Sequence, residues 1–322
     1  MEYLQRQIRE IMTRFDKMKL LAPIEAIDGY QQNPVFEKTT KNGEVIRYKF
    51  SHEQLDLHII VTPKESKFSM EFTGKLLREN YPLLITRDTI NECLERIIDM
   101  GICRLEIDKI LDMAEVCQCD ITRDIDFSDD NKLRAVVSSY INSSKWIVKK
   151  YPGGFTIEKT VKTPKYRRRL SIYNKEVEMR KKTNLDFLSH IKNQDEVIKY
   201  FQGKTRLELN LTSMKAIRDC LHIGDTKLMT VLNSTSNPIQ EVFLDSVKLP
   251  PEEKVVTSLR DFERIIVLQH FGNDLSILRE KILPFYKRST SANKVISEYR
   301  KLIDAEQSRD FIWVYELLTQ ID

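Results

Sequence analysis

Three short segments of the sequence place a tyrosine, cations and carboxylates at alternating positions. In a β-strand, successive side chains point to opposite faces, so residues two apart share a surface. In Arg206-Leu-Glu-Leu-Asn-Leu, this alternation buries the leucines and leaves the polar residues together on the other face. The polar faces of the three segments comprise Ser171, Tyr173 and Lys175; Arg206, Glu208 and Asn210; and Gln118, Asp120 and Thr122.

If these strands are neighbours in one sheet, their polar groups suit phosphodiester chemistry. A tyrosine hydroxyl has a pKa of about 10 and needs a nearby metal ion or cation to act as a nucleophile at neutral pH. Asp120 and Glu208 offer the hard oxygen ligands that Mg²⁺ or Mn²⁺ prefers, and Lys175 and Arg206 supply further positive charge. The alternative is a half-exposed antiparallel sheet whose polar face simply meets water.

Charge is concentrated in one part of the chain. The net charge is only +4, from 52 basic and 48 acidic residues, and is weak support for a polyanionic partner. Residues 159–182, however, hold 10 basic residues against 2 acidic ones. This segment is a candidate phosphate-binding surface, with a solvated charged face as the alternative.

Composition sets the class of protein. A chain of 322 residues with 41% apolar residues can bury a sizeable core. Its 5 cysteines form no CxxC pair, and no signal peptide is evident, so we expect reduced thiols and a cytoplasmic location. No segment approaches the roughly 20 apolar residues that a membrane span needs, so we expect no membrane association.

The spacing of apolar residues predicts an α+β fold: an antiparallel sheet with flanking helices, followed by a helical C-terminal region. We expect an α+β domain over residues 1–212 and a helical domain over 213–322. The predicted helices are 1–21, 86–100, 131–144 and 186–201. The predicted strands are 44–49, 55–62, 67–73, 103–108, 116–122, 155–161, 168–174 and 206–211.

The polar strands resemble the motifs of rolling-circle replication initiators, a group that includes plasmid initiators and the filamentous-phage replication endonucleases. Arg168-Arg-Leu-Ser-Ile-Tyr-Asn-Lys-Glu-Val-Glu resembles their tyrosine motif, which implies that Tyr173 is the nucleophile and that Lys175 and Glu178 are its companions. Gln118-Cys-Asp resembles the strand with an essential aspartate, here Asp120, and Arg206-Leu-Glu resembles their closing Arg-x-Glu strand. The resemblance runs from about residue 55 to 212.

The expected metal site departs from many nickases, because none of the 5 histidines lies in a His-x-His pair. A site of carboxylates for Mg²⁺ or Mn²⁺ is then required, drawn from Asp120, Glu208, Glu178 and Asp124. Asp124 ranks below Asp120, because four residues of extended chain separate the two by about 13 Å. Glu106 and Asp108, in another alternating stretch, are alternatives to Asp120.

The resemblance implies a metal-dependent endonuclease that nicks and later rejoins one strand of a phage or plasmid origin, in the cytoplasm of a bacterial host. The nick leaves a 5′-phosphotyrosine and a free 3′-hydroxyl as primer for DNA replication. The expected partners are single-stranded or hairpin origin DNA and the host helicase and polymerase; a homodimer is allowed. The expected DNA-binding residues are Lys165, Tyr166, Arg167, Arg168, Arg169, Lys181 and Lys182.

Three alternatives remain open at this point. The chain could be a relaxase that nicks DNA for mobilisation, since the chemistry is the same. It could also be an origin-binding regulator that does not cut. Tyr166 could be a second nucleophile, although stacking on a DNA base is the favoured role.

Overall fold

The computed structural model describes residues 13–160, 168–248, 258–272, 274–286 and 289–309. The chain divides into two compact units, Met1–Val247 with Gln320–Asp322, and Lys248–Thr319. The boundary expected after residue 212 differs from this division. The helices between residues 214 and 246 contact the strands of the first unit, so they belong to it.

The described residues of the first unit form a ten-stranded antiparallel sheet with the strand order β3-β4-β5-β6-β1-β8-β12-β11-β10-β9, and β2 pairs with β7 separately. The predicted α+β class is confirmed. The strands are β1 Phe15–Pro23, β2 Ile27–Asp28, β3 Glu37–Lys41, β4 Glu44–His52, β5 Leu57–Thr62, β6 Lys67–Thr73, β7 Arg104–Leu105, β8 Glu115–Asp126, β9 Trp146–Tyr151, β10 Gly154–Lys159, β11 Arg168–Asn174 and β12 Lys204–Leu211.

Helices surround this sheet and make up the second unit. In the first unit they are α1 Ile90–Asp99, α2 Ile107–Met113, α3 Asp130–Tyr140, α4 Lys175–Met179, α5 Lys182–Leu188, α6 Gln194–Phe201, α7 Met214–Leu221, α8 Leu228–Leu232 and α9 Pro238–Ser246. The described part of the second unit contains α10 Leu259–His270, α11 Leu275–Ile282 and α12 Ser289–Arg309. Over the described ranges, no helix combines the length and apolar character needed to cross a membrane.

The two faces of the central strands differ in composition, because apolar and polar residues alternate along them. Leu170, Ile172, Leu207 and Leu209 are buried on one face, the core face, where α3, α7 and α9 contact the strands. The opposite face carries the polar residues. The 3₁₀ segment Gly74–Leu83 and α4–α6 form an apolar cluster beside it, made of Tyr81, Leu84, Met179, Phe187, Leu188, Ile191, Val197 and Phe201.

Three elements differ from the sequence prediction. Residues 15–23, expected in a helix, form β1, because pairing with β6 and β8 overrides a helical spacing of apolar residues; residues 1–12 of that prediction lie outside the described residues. Only Arg104–Leu105 of the strand expected over 103–108 exists, and α2 follows it. The helix expected over 186–201 is two helices, α5 and α6.

Candidate functional site

The structure brings the three polar segments together on one face of the sheet. β8, β12 and β11 are adjacent and antiparallel, so their residues form cross-strand rows. We call this surface the polar face. Its rows are Tyr173, Arg206 and Asp124; Ser171, Glu208 and Thr122; and Arg169, Asn210 and Asp120.

β1 adds a carboxylate that the sequence analysis missed. The register of β1 against β8 shifts between Phe15 and Lys17, at a β-bulge. The carboxylate of Asp16, within this bulge, lies 3.2 Å from Nη1 of Arg206. No sequence signal could have found Asp16, because its segment was expected to be helical and its position depends on the bulge.

Arg206 is fully buried and bound to protein carboxylates rather than exposed to a phosphate. Its Nε and Nη2 donate to the two oxygens of Asp124 at 2.6 and 2.8 Å, and its Nη1 donates to the Tyr81 hydroxyl at 3.2 Å. Burial alone would oppose the charge, but Asp124, Tyr81 and Asp16 raise the pKa of Arg206. The guanidinium therefore acts as a permanent buried cation.

Lys175 also lies beneath the surface. β11 ends at Asn174, whose side chain accepts a hydrogen bond from the Val177 N–H and caps α4, so Lys175 begins a helix instead of continuing the strand. Lys175 is 2% exposed, and its ammonium donates to the Tyr81 hydroxyl at 3.0 Å and to Glu178 at 2.7 Å. Burial and Arg206 oppose its charge, but Tyr81, Glu178 and Asp16 raise its pKa.

Tyr81 is the second residue that sequence reasoning missed. It is 2% exposed, its hydroxyl accepts from both buried cations, and burial raises its pKa to about 12. We call Tyr81, Lys175, Arg206, Asp16 and Asp124 the buried cation cluster. Because a phosphate cannot reach them on this surface, Lys175 and Arg206 differ from the prediction of exposed catalytic cations.

The four predicted metal ligands do not come together. Asp124 is paired with Arg206, and Glu178 accepts from Lys175 and from the amide of Asn184. The alternatives Glu106 and Asp108 lie at the beginning of α2, so they are not on an alternating strand. Asp120 and Glu208 are the predicted carboxylates that remain on the polar face without an ion pair to any described residue.

Asp120 and Glu208 are electrostatically perturbed. The amide of Asn210 donates to Asp120, whereas no described residue donates a hydrogen bond to Glu208. Burial, followed by the charges of Asp16 and Asp120, raises the pKa of Glu208 to about 8. Burial, together with the charge of Asp16 and despite the Asn210 hydrogen bond, raises the pKa of Asp120 to about 6. These carboxylates lack a neutralising cation.

This pair fits a hard divalent cation. Within the described ranges, no three His, Cys, Asp or Glu side chains are placed to hold a metal by themselves. Mg²⁺, however, often binds through one or two carboxylates together with water and substrate phosphate. Asp120 and Glu208 are diagonal neighbours on adjacent strands, a relation that places Cβ atoms roughly 7 Å apart, and a cation between them would relieve their repulsion.

Tyr173 is half-buried at the edge of this site. Burial, followed by the charge of Glu208, raises its pKa well above 10, so the phenol is protonated at neutral pH. Its position is fixed by Gly154, its cross-strand neighbour on β10. A Cβ at position 154 would lie 2.7 Å from the Cβ of Tyr173 and 2.6 Å from the carbonyl oxygen of Ile172, so only glycine fits there.

The predicted DNA-binding residues are divided. Arg169 lies on the polar face, whereas Arg168 points to the core face, in register with Leu211. Lys181 borders a cavity beside Tyr173, and Lys182 is exposed at the beginning of α5. Lys165, Tyr166 and Arg167 lie outside the described residues.

Replacing Glu208 with glutamine should stabilise the protein at alkaline pH. In the folded chain Glu208 holds its proton up to about pH 8, whereas the ordinary value is 4.5. The stability it contributes is therefore fully present below about pH 4.5 and is lost as the pH rises to 8. We expect the variant to match the wild type at pH 4 and to gain on the order of 1–3 kcal/mol at pH 8, measured by urea unfolding.

Glu178→Gln is the matched control for this prediction, because Glu178 has cationic partners. Burial opposes its charge, but Lys175 and Asn184 lower its pKa. The amide should therefore destabilise the protein at neutral pH, the opposite sign to Glu208→Gln. A Glu208→Gln variant that is less stable than wild type at pH 8 would contradict the inferred absence of a cation partner.

Part of the chain matches a known family. Residues 84–228 match the family model Phage_CRI, which describes the N-terminal part of a phage replication-associated protein. The match includes β8, β11 and β12, and it confirms the resemblance to phage replication initiators. It therefore supports a role in the initiation of phage-type DNA replication, which implies binding to origin DNA. No curated protein gives a match to the chain.

Proposed function

We propose that this chain, whose residues 84–228 match phage replication-associated proteins, initiates rolling-circle replication by nicking one origin strand. Tyr173 is the proposed nucleophile, and the product is a 5′-phosphotyrosine with a free 3′-hydroxyl. The proposal rests mainly on one juxtaposition: a half-buried tyrosine shares a sheet face with two carboxylates that lack a cation, Asp120 and Glu208.

The reaction is a transesterification at phosphorus. The Oη of Tyr173 attacks the scissile phosphate, the bond from phosphorus to the 3′-oxygen breaks, the phenol proton leaves to water, and the 3′-oxygen takes up a proton. The number of phosphodiester bonds is conserved, so no nucleotide hydrolysis is needed. The same steps in reverse rejoin the strand when a 3′-hydroxyl returns to the phosphotyrosine.

Asp120 and Glu208 would hold Mg²⁺ or Mn²⁺, which supplies positive charge against the phosphate and favours the ionised phenol when bound. Tyr173 itself needs this help, because burial keeps its phenol protonated at neutral pH. Arg169, exposed in the same row as Asp120, provides a cation for an adjacent DNA phosphate.

The buried cation cluster has a positioning role in this proposal. The ammonium of Lys175 lies 5.8 Å from the centroid of the Tyr173 ring, and Arg206 is its cross-strand neighbour. Both cations are held from below by Tyr81 and carboxylates, so they fix the ends of β11 and β12 and add positive potential under the polar face. Neither contacts the substrate.

The covalent intermediate gives a direct test. The purified protein is mixed at pH 8 with Mn²⁺ and labelled single-stranded fragments that tile the DNA encoding it and its flanks. A nicking enzyme should give an SDS-resistant protein–DNA adduct from one fragment, and peptide mapping should place the nucleotide on Tyr173. EDTA should prevent the adduct.

The other outcomes separate the competing functions. Binding of a fragment without an adduct at any metal concentration indicates a non-catalytic regulator. An adduct whose DNA supports strand transfer but not replication in a plasmid assay indicates a relaxase. An adduct that maps to another tyrosine retains the enzyme class and removes Tyr173 from the mechanism.

A further inference from the structure

A cavity of about 130 Å³ lies beside Tyr173 and has no role in the chemistry just described. Tyr151, Tyr173 and Val177 form part of its wall, and Asn174 and Lys181 contribute polar groups. The side chains of Tyr151 and Val177 are 37% and 50% exposed, although both are apolar over most of their surface. The cavity thus combines an aromatic wall, an aliphatic wall and a cationic rim.

The aromatic wall is coupled to the proposed nucleophile through Gly154. Tyr151, Gly154 and Tyr173 occupy one cross-strand row on β9, β10 and β11. A Cβ at position 154 would lie 2.8 Å from the Tyr151 hydroxyl and 2.7 Å from the Cβ of Tyr173. The missing side chain lets the two tyrosines approach each other over the same glycine, which places the cavity next to the phenol.

We propose that this cavity holds one nucleobase of the DNA strand at the nick, stacked on the ring of Tyr151. The inference rests on the proposed function, because it concerns the strand that Tyr173 would attack. A cavity of about 150 Å³ is known to admit one aromatic ring, so the volume here suits a single base. The ammonium of Lys181, exposed at the rim, pairs with the backbone phosphate of that nucleotide.

Stacking predicts a binding signature that depends on the base but tolerates different sequences, because every base has a π-face. A purely electrostatic surface would instead bind the sugar–phosphate backbone equally well with or without bases. The two cases can be separated without knowledge of the origin sequence.

The test compares a fluorescein-labelled oligothymidylate of about 12 nucleotides, a length within the usual range of single-strand binding sites, with an abasic oligomer of the same length, by anisotropy without metal. Tyr151→Ala should weaken binding of the oligothymidylate at least about fivefold and binding of the abasic oligomer less than about twofold. Tyr151→Phe should retain most of the affinity. Tyr286→Ala, which removes a tyrosine of similar exposure (38%) in the second unit, should change neither.

A second measurement does not depend on a folded variant. Irradiation of the wild-type protein with the same oligomer carrying 5-iodouracil should cross-link a base to Tyr151, as peptide mapping would show. Equal weakening of both oligomers by Tyr151→Ala, no weakening of either, or cross-links confined to other residues would each overturn the nucleobase pocket.

The proposed function and the pocket fail separately. If an SDS-resistant adduct forms but Tyr151 has no base-dependent effect, nicking stands and the pocket is wrong. If Tyr151 shows the base-dependent effect but no DNA forms an adduct, the cavity is a base-binding site on a protein that does not cut.

Discussion

Tyr173→Phe should reduce the yield of covalent protein–DNA adduct by more than about a thousandfold. The substitution removes only the Oη atom and retains the ring and the Cβ that pack over Gly154. The fold and the affinity for single-stranded DNA should therefore stay within about twofold of wild type. Adduct yield on denaturing gels and anisotropy on the same DNA, measured side by side, give the two quantities.

Two other tyrosines provide matched controls. Tyr151→Phe should still form the adduct, because its hydroxyl is not the proposed nucleophile. Tyr81→Phe removes the acceptor shared by Lys175 and Arg206, so it should lower stability while the folded fraction still reacts. A Tyr173→Phe protein that forms the adduct at the wild-type rate would exclude Tyr173, and Tyr166 would be the next candidate.

Arg206→Met should cost about 3–5 kcal/mol of folding free energy, the largest stability effect expected from a single substitution in this site. The side chain is 0% exposed and neutralises Asp124, which is 3% exposed, and Asp16. Methionine fills a similar volume but leaves both carboxylates and the Tyr81 hydroxyl without this partner. Urea unfolding followed by far-ultraviolet circular dichroism at pH 7 measures the loss.

Arg169→Met is the control, because Arg169 is exposed on the same face and should change stability by less than about 0.5 kcal/mol. The double variant Arg206→Met with Asp124→Leu should recover part of the loss, since it removes the unpaired carboxylate as well. A loss below about 1 kcal/mol for Arg206→Met would show that the ion pair does not hold the strands together.

The sequence predicts the polar face well because strand alternation is a local rule. Tyr173, Arg206, Glu208 and Asp120 were expected on one surface, and the pairing of β11, β12 and β8 puts them there. Each strand ladder needed only the two-residue period and buried leucine or isoleucine neighbours. The adjacency of the three strands came from the motif order, which periodicity does not supply.

The depth of each polar residue could not be predicted in the same way. Arg206 and Glu208 both belong to the polar pattern of β12, yet only Arg206 is fully covered, because Tyr81 and Phe201 pack over its guanidinium. Those aromatic residues come from segments 125 and 5 positions away in the chain. Lys175 was misplaced for a simpler reason: the Asn174 cap turns the chain from strand to helix one residue earlier than expected.

The position of β1 has a consequence for the limits of an independent folding unit. β1 lies between β6 and β8, in the interior of the sheet, although the family match begins only at residue 84. A fragment cut at that point would leave the backbone of β8 as an unprotected edge along residues 115–121, open to pairing with other molecules. Such a fragment would also lack Asp16, so the matched segment needs its upstream strands for solubility as well as for the chemistry.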